Sequence, residues 1–266
     1  MEYKQIKVDS VLKKITKKDV LFNGDYIVDP YQNCEFGCLY CDSSFDTTIY
    51  VKVNSDEIIE DELRKQEKGR VIIGSVHDPY QKIEKDYKIT RKILKNILDL
   101  DFSCHILTKS DLVLRDLDLL SEINDCIVTM SIISTNDNTV NTFEKNVPST
   151  QKRFEVMKKL NNNNIKSGLA IMPVLPYIVE DELENIVSQA KDYDAQYLLH
   201  KHLELKGDQK TIFLNLLNKH YYKSVNEYEK LYKDSYMPNE NYISTLDEKM
   251  YNLCNKYKLK NIINIG

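Results

Sequence analysis

The stretch Asp29-Pro30-Tyr31-Gln32-Asn33-Cys34-Glu35-Phe36-Gly37-Cys38-Leu39-Tyr40-Cys41-Asp42 decides how this chain is read. It holds three of the six cysteines, spaced C-x3-C-x2-C. Such spacing lets three thiolates from one loop converge on one face of an iron–sulfur cluster, and Gly37 supplies a residue able to take positive φ just before the second sulfur. A [4Fe–4S] cluster normally takes four cysteine ligands. Three leave one iron open to a small molecule. Two other readings stand beside this one: a partial zinc site, which needs a fourth ligand, and structural cysteines, a disulfide with one spare thiol. The five histidines offer no H-x3-H partner at finger-like spacing, and nothing marks a secreted chain, so the cluster is favoured.

Outward from the loop the chain alternates between two kinds of pattern. Gly24-Asp25-Tyr26-Ile27-Val28, bounded by Gly24 and Pro30, predicts the first strand, with the cysteine loop at its C-terminal end. Arg70 to Gly74 is a continuous apolar run, as expected of a strand buried on both faces. Further strands are expected over Cys104–Thr108, Cys126–Ile132, Ile165–Met172 and Tyr197–Leu205. Helices are expected between them, over Asp56–Gln66, Asp86–Leu100, Leu114–Ile123, Thr150–Leu160 (capped by Ser149 or Thr150) and Glu180–Lys191. Asn161 to Asn164 reads as a polar loop. Alternation of this kind implies parallel βαβ units, whose active-site groups gather where the βα loops converge. Residues 1–23 predict an irregular or partly helical lead-in with a solvated basic face at Lys13, Lys14, Lys17 and Lys18. Residues 207–266 carry helical patterns such as Phe213, Leu214, Leu216 and Leu217, and a last helix over Leu246–Tyr257 in which Cys254 packs.

The cysteine loop, with Tyr40 just before the last cysteine, resembles the cluster loop of radical S-adenosylmethionine (SAM) enzymes. The order of motifs from about Tyr26 to Tyr232 is similar to the spore-photoproduct-lyase-like branch, often labelled DNA repair photolyase. The resemblance implies an α/β fold, a partial (β/α)6 TIM-like barrel over residues 24–206, with residues 207–266 as a helical cap. It implies a [4Fe–4S] cluster on Cys34, Cys38 and Cys41 whose open iron is chelated by the amino and carboxylate groups of SAM. Reductive cleavage of SAM then yields a 5′-deoxyadenosyl radical that abstracts hydrogen from a substrate. A one-electron donor of flavodoxin or ferredoxin type is implied as a partner.

Carried over residue by residue, the resemblance sets Tyr40 near the adenine, Lys109 at the SAM carboxylate, Ser131 near the ribose and the backbone of Ala170 beside the cofactor. The turn Gly74-Ser75-Val76-His77-Asp78-Pro79-Tyr80 lets backbone approach the amino group at Ser75, with His77 and Asp78 free to face the cavity or simply to start the next helix. Phe143-Glu144-Lys145-Asn146-Val147-Pro148-Ser149 with Arg153 resembles a block of this branch, although Lys145 replaces its first proline. Glu144 and Arg153 are read as an ion pair or as contacts to SAM or substrate. Pro173-Val174-Leu175-Pro176 is similar to the turn after strand five. Two departures bear on activity. The lyases carry a hydrogen-donating cysteine where Ser75 stands, and a tyrosine where Asp42 follows the third cysteine. An O–H bond is much stronger than S–H, so serine cannot donate in its place. The strand contexts of Cys104 and Cys126 suggest packing rather than donation. Outside the resemblance, His200 and His202 alternate on a strand and can share a face, which suits a second metal only with a further ligand. His105 reads as a strand residue with a satisfied hydrogen bond.

With 266 residues, 42% of them hydrophobic, the chain can bury one substantial core. Asp and Glu number 41 against 37 Lys and Arg, a net charge of −4. Nucleic-acid binders usually show a basic footprint, so a nucleic-acid substrate is left open but disfavoured. No apolar run approaches the roughly 18–20 residues of a membrane span, and Met1-Glu2-Tyr3-Lys4-Gln5 lacks the pattern of a signal peptide. A cytoplasmic, non-membrane protein is expected.

Overall fold

The computed structural model describes residues 1–17, 19–42 and 46–262; Lys18 of the basic lead-in lies outside the described residues. The lead-in corrects part of the first expectation: among its described residues it is irregular in part but not helical, and it contains two strands, β1 (Glu2–Ile6) and β2 (Leu12–Lys14). Their residues are mostly exposed, so no run of buried side chains announces them. What holds them is backbone pairing, which leaves no pattern in composition.

The chain continues through β3 (Tyr26–Val28), β4 (Tyr31–Gln32) and β5 (Thr48–Lys52). β5 pairs parallel with β1 and antiparallel with β4, forming a small sheet ordered β1-β5-β4. This sheet was not foreseen, and it matters, because β4 ends one residue before Asn33 and so anchors the start of the cysteine loop.

The barrel wall is built from β3 and from β6 (Arg70–Ile73), β7 (Ser103–Thr108), β8 (Cys126–Ser131), β9 (Lys166–Val174) and β10 (Leu198–His202). All six run parallel, in the order β10-β9-β8-β7-β6-β3, and β2 closes the β3 edge antiparallel. The expected partial (β/α)6 barrel is therefore the fold. Every residue of β6 and β8 is buried, the mark of strands covered on both faces.

Helices cover the outside of the wall. α1 (Ser55–Leu63) precedes β6, while α2 (Glu84–Tyr87) and α3 (Ile89–Asp99) precede β7. The single helix expected from Asp86 to Leu100 is thus two, divided at Lys88, whose φ is +54°. Before β8 the expected helix over Leu114–Ile123 is a 3-10 turn, Asp111–Asp116, followed by the one-turn α4 (Leu117–Leu120). The buried Asp116 carboxylate accepts hydrogen bonds from Arg91, Arg115 and Tyr80, which pins the chain at that break.

α5 (Asp137–Phe143) and α6 (Thr150–Asn162) follow β8. Ser149 caps α6, its hydroxyl accepting from the Lys152 N–H at 3.3 Å. α7 (Leu183–Asp192) lies between β9 and β10. The extension forms α8 (Asp208–His220), α9 (Val225–Leu231) and α10 (Glu240–Lys256). Phe213 of α8 stacks on Phe143 at 5.6 Å, and the Tyr228 and Tyr232 hydroxyls donate to the Pro176 and Leu203 carbonyls. No helix among the described residues is long and apolar enough to cross a membrane.

Candidate active site

The cysteine loop is fastened at both flanks. From one side Gln81 accepts the Glu35 N–H at 2.8 Å and donates to the Asn33 carbonyl at 3.0 Å. The Glu35 carboxylate accepts from the Ile83 N–H and from the Tyr3 hydroxyl of β1. From the other side Asn146 donates to the carbonyls of Glu35 and Phe36, and the Leu39 N–H donates to the Phe143 carbonyl. The block Phe143–Ser149 is therefore the clamp of the loop. Gly37 takes φ +62°, as its place in the motif predicts, and a side chain there would be strained.

Cys34, Cys38 and Cys41 all line one cavity of about 380 Å³, within the range of small-molecule sites. Burial pushes the Cys34 thiol up to about 12 and the Cys38 thiol higher still. A metal taking these sulfurs must displace their protons.

Tyr40, Ser75, Lys109 and Ser131 also line the cavity. Lys109 donates to the Ser131 hydroxyl at 2.9 Å and stands 3.7 Å from Glu144. Glu144 and Arg153, both fully buried, pair at 2.9 Å, and Arg153 donates to the Ser131 carbonyl. The Tyr40 hydroxyl donates to Glu144 as well. Of the two readings for Glu144 and Arg153, the buried ion pair is the one found, and it sits directly behind the lining residues. Burial pulls the Lys109 ammonium down, but Cys38 and Glu144 more than compensate and leave it raised. Burial pushes the Glu144 carboxyl up, and Arg153 and Lys109 outweigh it, leaving it below the usual carboxylate range.

The turn after β6 is tight. Gly74 has φ +86°, and a Cβ there would meet Pro79 at 2.4 Å and the Leu107 carbonyl at 2.7 Å, so only glycine fits. Asp78 faces the cavity and also latches this turn to the end of β7, accepting from the Thr108 hydroxyl and the Lys109 N–H at 2.7 Å each. The Ser75 hydroxyl is buried without a protein partner. Ala170 does not line the cavity. It belongs to a buried cluster with Ile127, Tyr197 and Leu199, against which the lining residues Leu107 and Met172 pack, and its carbonyl accepts from the Ile132 N–H.

Other residues fall as their contexts suggest. His105 is buried, with its ring nitrogens 2.6 Å from the Thr129 hydroxyl and 3.2 Å from the Phe22 carbonyl. Cys254 is buried in the core. Cys104 and Cys126 face each other at 3.5 Å inside the wall and do not reach the cavity. Among the lining residues that escaped the sequence reading are three from outside the motifs. Gln209, from α8, donates to the Tyr40 carbonyl, and Leu21 and Phe22 come from the lead-in side of β3. Tertiary contact alone brings the three in.

Comparison with known proteins bears on the fold and the family. The family model of the radical SAM superfamily matches residues 28–190. An uncharacterized protein of Methanocaldococcus jannaschii is 34% identical over 209 residues, covering 75% of this chain and 77% of its own length. An uncharacterized protein of Mycobacterium tuberculosis is 26% identical, over 88% of this chain and 75% of the relative. Among solved structures, spore photoproduct lyase complexed with dinucleoside spore photoproduct superposes with a TM-score of 0.70 at 18% identity, covering 96% of this chain and 79% of that one. Streptococcus suis SuiB bound to S-adenosylmethionine gives 0.56 at 13% identity, over 76% of this chain and 48% of that one. The chain belongs to the radical SAM superfamily. It is a radical SAM enzyme, working with a [4Fe–4S] cluster and SAM on a substrate and requiring a reductant.

Proposed function

We propose that Cys34, Cys38 and Cys41 ligate the [4Fe–4S] cluster and that the adjoining cavity holds SAM at the remaining iron. One observation carries this: the three thiols share a cavity wall with Lys109, a largely buried ammonium, 14% exposed, in a network of two cations and one carboxylate. When bound, cluster and SAM supply one-electron cleavage of the sulfonium and hydrogen-atom abstraction from the substrate. The chain's own residues bind and orient. Lys109 meets the SAM carboxylate as a point charge. Ser131 stands at the ribose, Tyr40 at the adenine, and Ser75, with its unpartnered hydroxyl, at the amino group. Ala170 supports the cofactor through the lining residues packed against its cluster. Glu144 and Arg153 are positioning residues: they hold Tyr40 and the Ser131 backbone, and Glu144 keeps Lys109 charged.

We infer a substrate other than a thymine dimer. Ser75 occupies the place of the lyase cysteine and lines the cavity, and the lining among the described residues has no cysteine beyond the three of the loop. Nucleic-acid repair or modification by another donor is the second reading, opposed by the net charge of −4. Residues 207–266 serve as a cap on the barrel of residues 24–206, with residues 1–23 as lead-in; the Gln209 contact to the cluster loop supports this. A flavodoxin or ferredoxin in the cytoplasm suits the electron demand and an oxygen-labile cluster.

The test is anaerobic reconstitution with iron and sulfide, reduction with dithionite in the presence of SAM, and assay of 5′-deoxyadenosine. About four irons per chain, with deoxyadenosine formed, is expected in the wild type, and both are lost in Cys38→Ala. Zinc in place of iron, or an intact cluster that never cleaves SAM, returns the chain to a non-catalytic metal-binding role.

A further inference from the structure

We propose that His200, His202 and Asp247 form a second metal site, separate from the cysteine loop, for a single divalent transition-metal ion of the zinc class. His200 and His202 lie on β10 two residues apart, where its register against β9 shifts: His200 pairs with Ile171 but His202 with Val174. Both rings face the same side and stand at 84° with centroids 6.0 Å apart. Asp247 arrives from α10, 45 residues further along. It supplies the carboxylate that the sequence around the histidines lacks.

The three donors converge on one point. The Nε2 atoms of His200 and His202 lie 2.8 and 3.1 Å from the same oxygen, Asp247 Oδ1, and all three donor atoms fall within 4.8 Å of one another. A tetrahedral ion with metal–ligand bonds of about 2.0–2.2 Å holds its donors roughly 3.3–3.6 Å apart. Entry of an ion therefore needs the carboxylate oxygen to draw back from the two nitrogens by roughly 0.2–0.8 Å, with the nitrogens themselves no more than 4.8 Å apart. Two imidazoles and a carboxylate are a donor set that zinc and ferrous ions favour. The histidine side chains are 10% and 12% exposed, so their rings are held in place by packing. Asp247 is 52% exposed, which leaves a path for the ion.

Chemistry at neighbouring residues does not compete. Lys201, between the histidines, is paired with Glu204 at 2.8 Å. The Asp247 carboxylate sets the proton of His202 on Nε2; Nδ1 is buried with no protein partner, so an entering ion takes Nε2 and that proton moves to Nδ1. Three protein donors leave at least one coordination position for water or a substrate oxygen. His202 also lines the cavity shared with the cysteine loop, whereas His200 and Asp247 do not, so the ion stands beside that cavity, behind His202. It would also fasten α10 to β10, the open edge strand of the barrel.

The test uses full-length, cluster-loaded protein titrated anaerobically with Zn2+, with zinc and iron counted after dialysis and the melting temperature followed in parallel. The expected result is one tightly held zinc per chain, undiminished iron and a rise in melting temperature. Asp247→Asn keeps an oxygen that can accept from either imidazole but is a poor ligand. It should weaken zinc binding by at least about 100-fold, more than the 10–100-fold typical of outer-shell changes, and abolish the melting shift. His200→Gln should do the same while melting like the metal-free wild type. The proposal falls if the wild type retains no zinc, if zinc enters only as iron leaves, or if both variants bind zinc as tightly as the wild type.

Discussion

Two buried networks in this barrel are made from the same parts and differ in their charge. In the first, Glu84 and Asp116 are both fully buried and face Arg91 and Arg115. Arg115 reaches Glu84 and Asp116 at 2.7 Å each, and Arg91 reaches Asp116 at 2.8 Å. The hydroxyls of Tyr31 and Tyr80 donate to Glu84 and Asp116. Two buried carboxylates meet two guanidinium groups, Arg91 also reaching the exposed Asp118 at 2.6 Å, and none of these residues lines the cavity. In the second, the Tyr40 hydroxyl again meets a buried glutamate, Glu144, and an arginine, Arg153, but Lys109 is added. The nearest further acid, Asp78, is turned onto the Thr108 hydroxyl and the Lys109 and Tyr80 N–H groups, and burial raises its pKa despite them. The first network closes its charge internally. The second keeps a surplus cation on the wall shared with the three thiols, and a buried surplus charge is costly unless a ligand answers it.

The largest effects should come from breaking either network. Glu144→Ala strands the fully buried Arg153 guanidinium and should cost about 3–5 kcal/mol of stability by denaturant titration, whereas Glu84→Ala leaves Arg115 its pair with Asp116 and should cost about 1–3 kcal/mol through the unpaired Tyr31 hydroxyl and backbone N–H groups. Only Glu144→Ala should also disturb SAM binding to the reconstituted enzyme. Equal loss of SAM affinity in Glu84→Ala would erase the distinction between the networks.

Lys109→Met sharpens the contrast from the other side. Removing the surplus charge should change stability by no more than about 1 kcal/mol, because Glu144 keeps Arg153 and Tyr40. SAM affinity should fall about 10- to 100-fold, the worth of one charge-assisted hydrogen bond, as measured by anaerobic equilibrium dialysis. An unchanged affinity would remove Lys109 from the site.

His105 gives a buried polar group with no ionic partner. Burial holds its pKa down to about 3, so it is neutral in the folded protein. The unfolded chain takes up the proton near pH 6.5, so stability is fully present above that pH and falls as pH drops from about 6.5 toward 3. At pH 5 the loss from this group is about 2 kcal/mol, and His105→Gln should flatten that part of the stability–pH curve. The smallest effect belongs to Asp118. Arg91 holds its carboxyl down to about 2, but the side chain is 58% exposed, and Asp118→Asn should shift stability by no more than about 0.5 kcal/mol.

Much of the architecture was legible because burial writes itself into sequence. Val71, Ile72 and Ile73 of β6, and Ile89, Ile93, Leu94 and Ile97 of α3, are all nearly or fully buried, and their spacing gives strand and helix directly. The strands β1, β2, β4 and β5 were not legible, since three of them are short or exposed and their partners lie far along the chain. The same holds for the helix breaks at Lys88 and Asp116, which buried polar contacts impose.

At the site the division is similar. C-x3-C-x2-C and Gly37 lie within eight residues, so local sequence alone determined the thiol set and the turn that presents it. Lys109, Ser131 and Ser75 were legible through their places at strand ends, where parallel topology must bring them together. Tertiary structure alone decided that Asn146 and Phe143 clamp the loop and that Gln209 reaches Tyr40. It also decided that Glu144 pairs with Arg153 behind the wall and that Asp247 meets His200 and His202. Each of these joins residues distant in sequence through one or two contacts. Such contacts leave no period or spacing to read, because their energy depends on where the packed barrel puts them rather than on their neighbours in the chain.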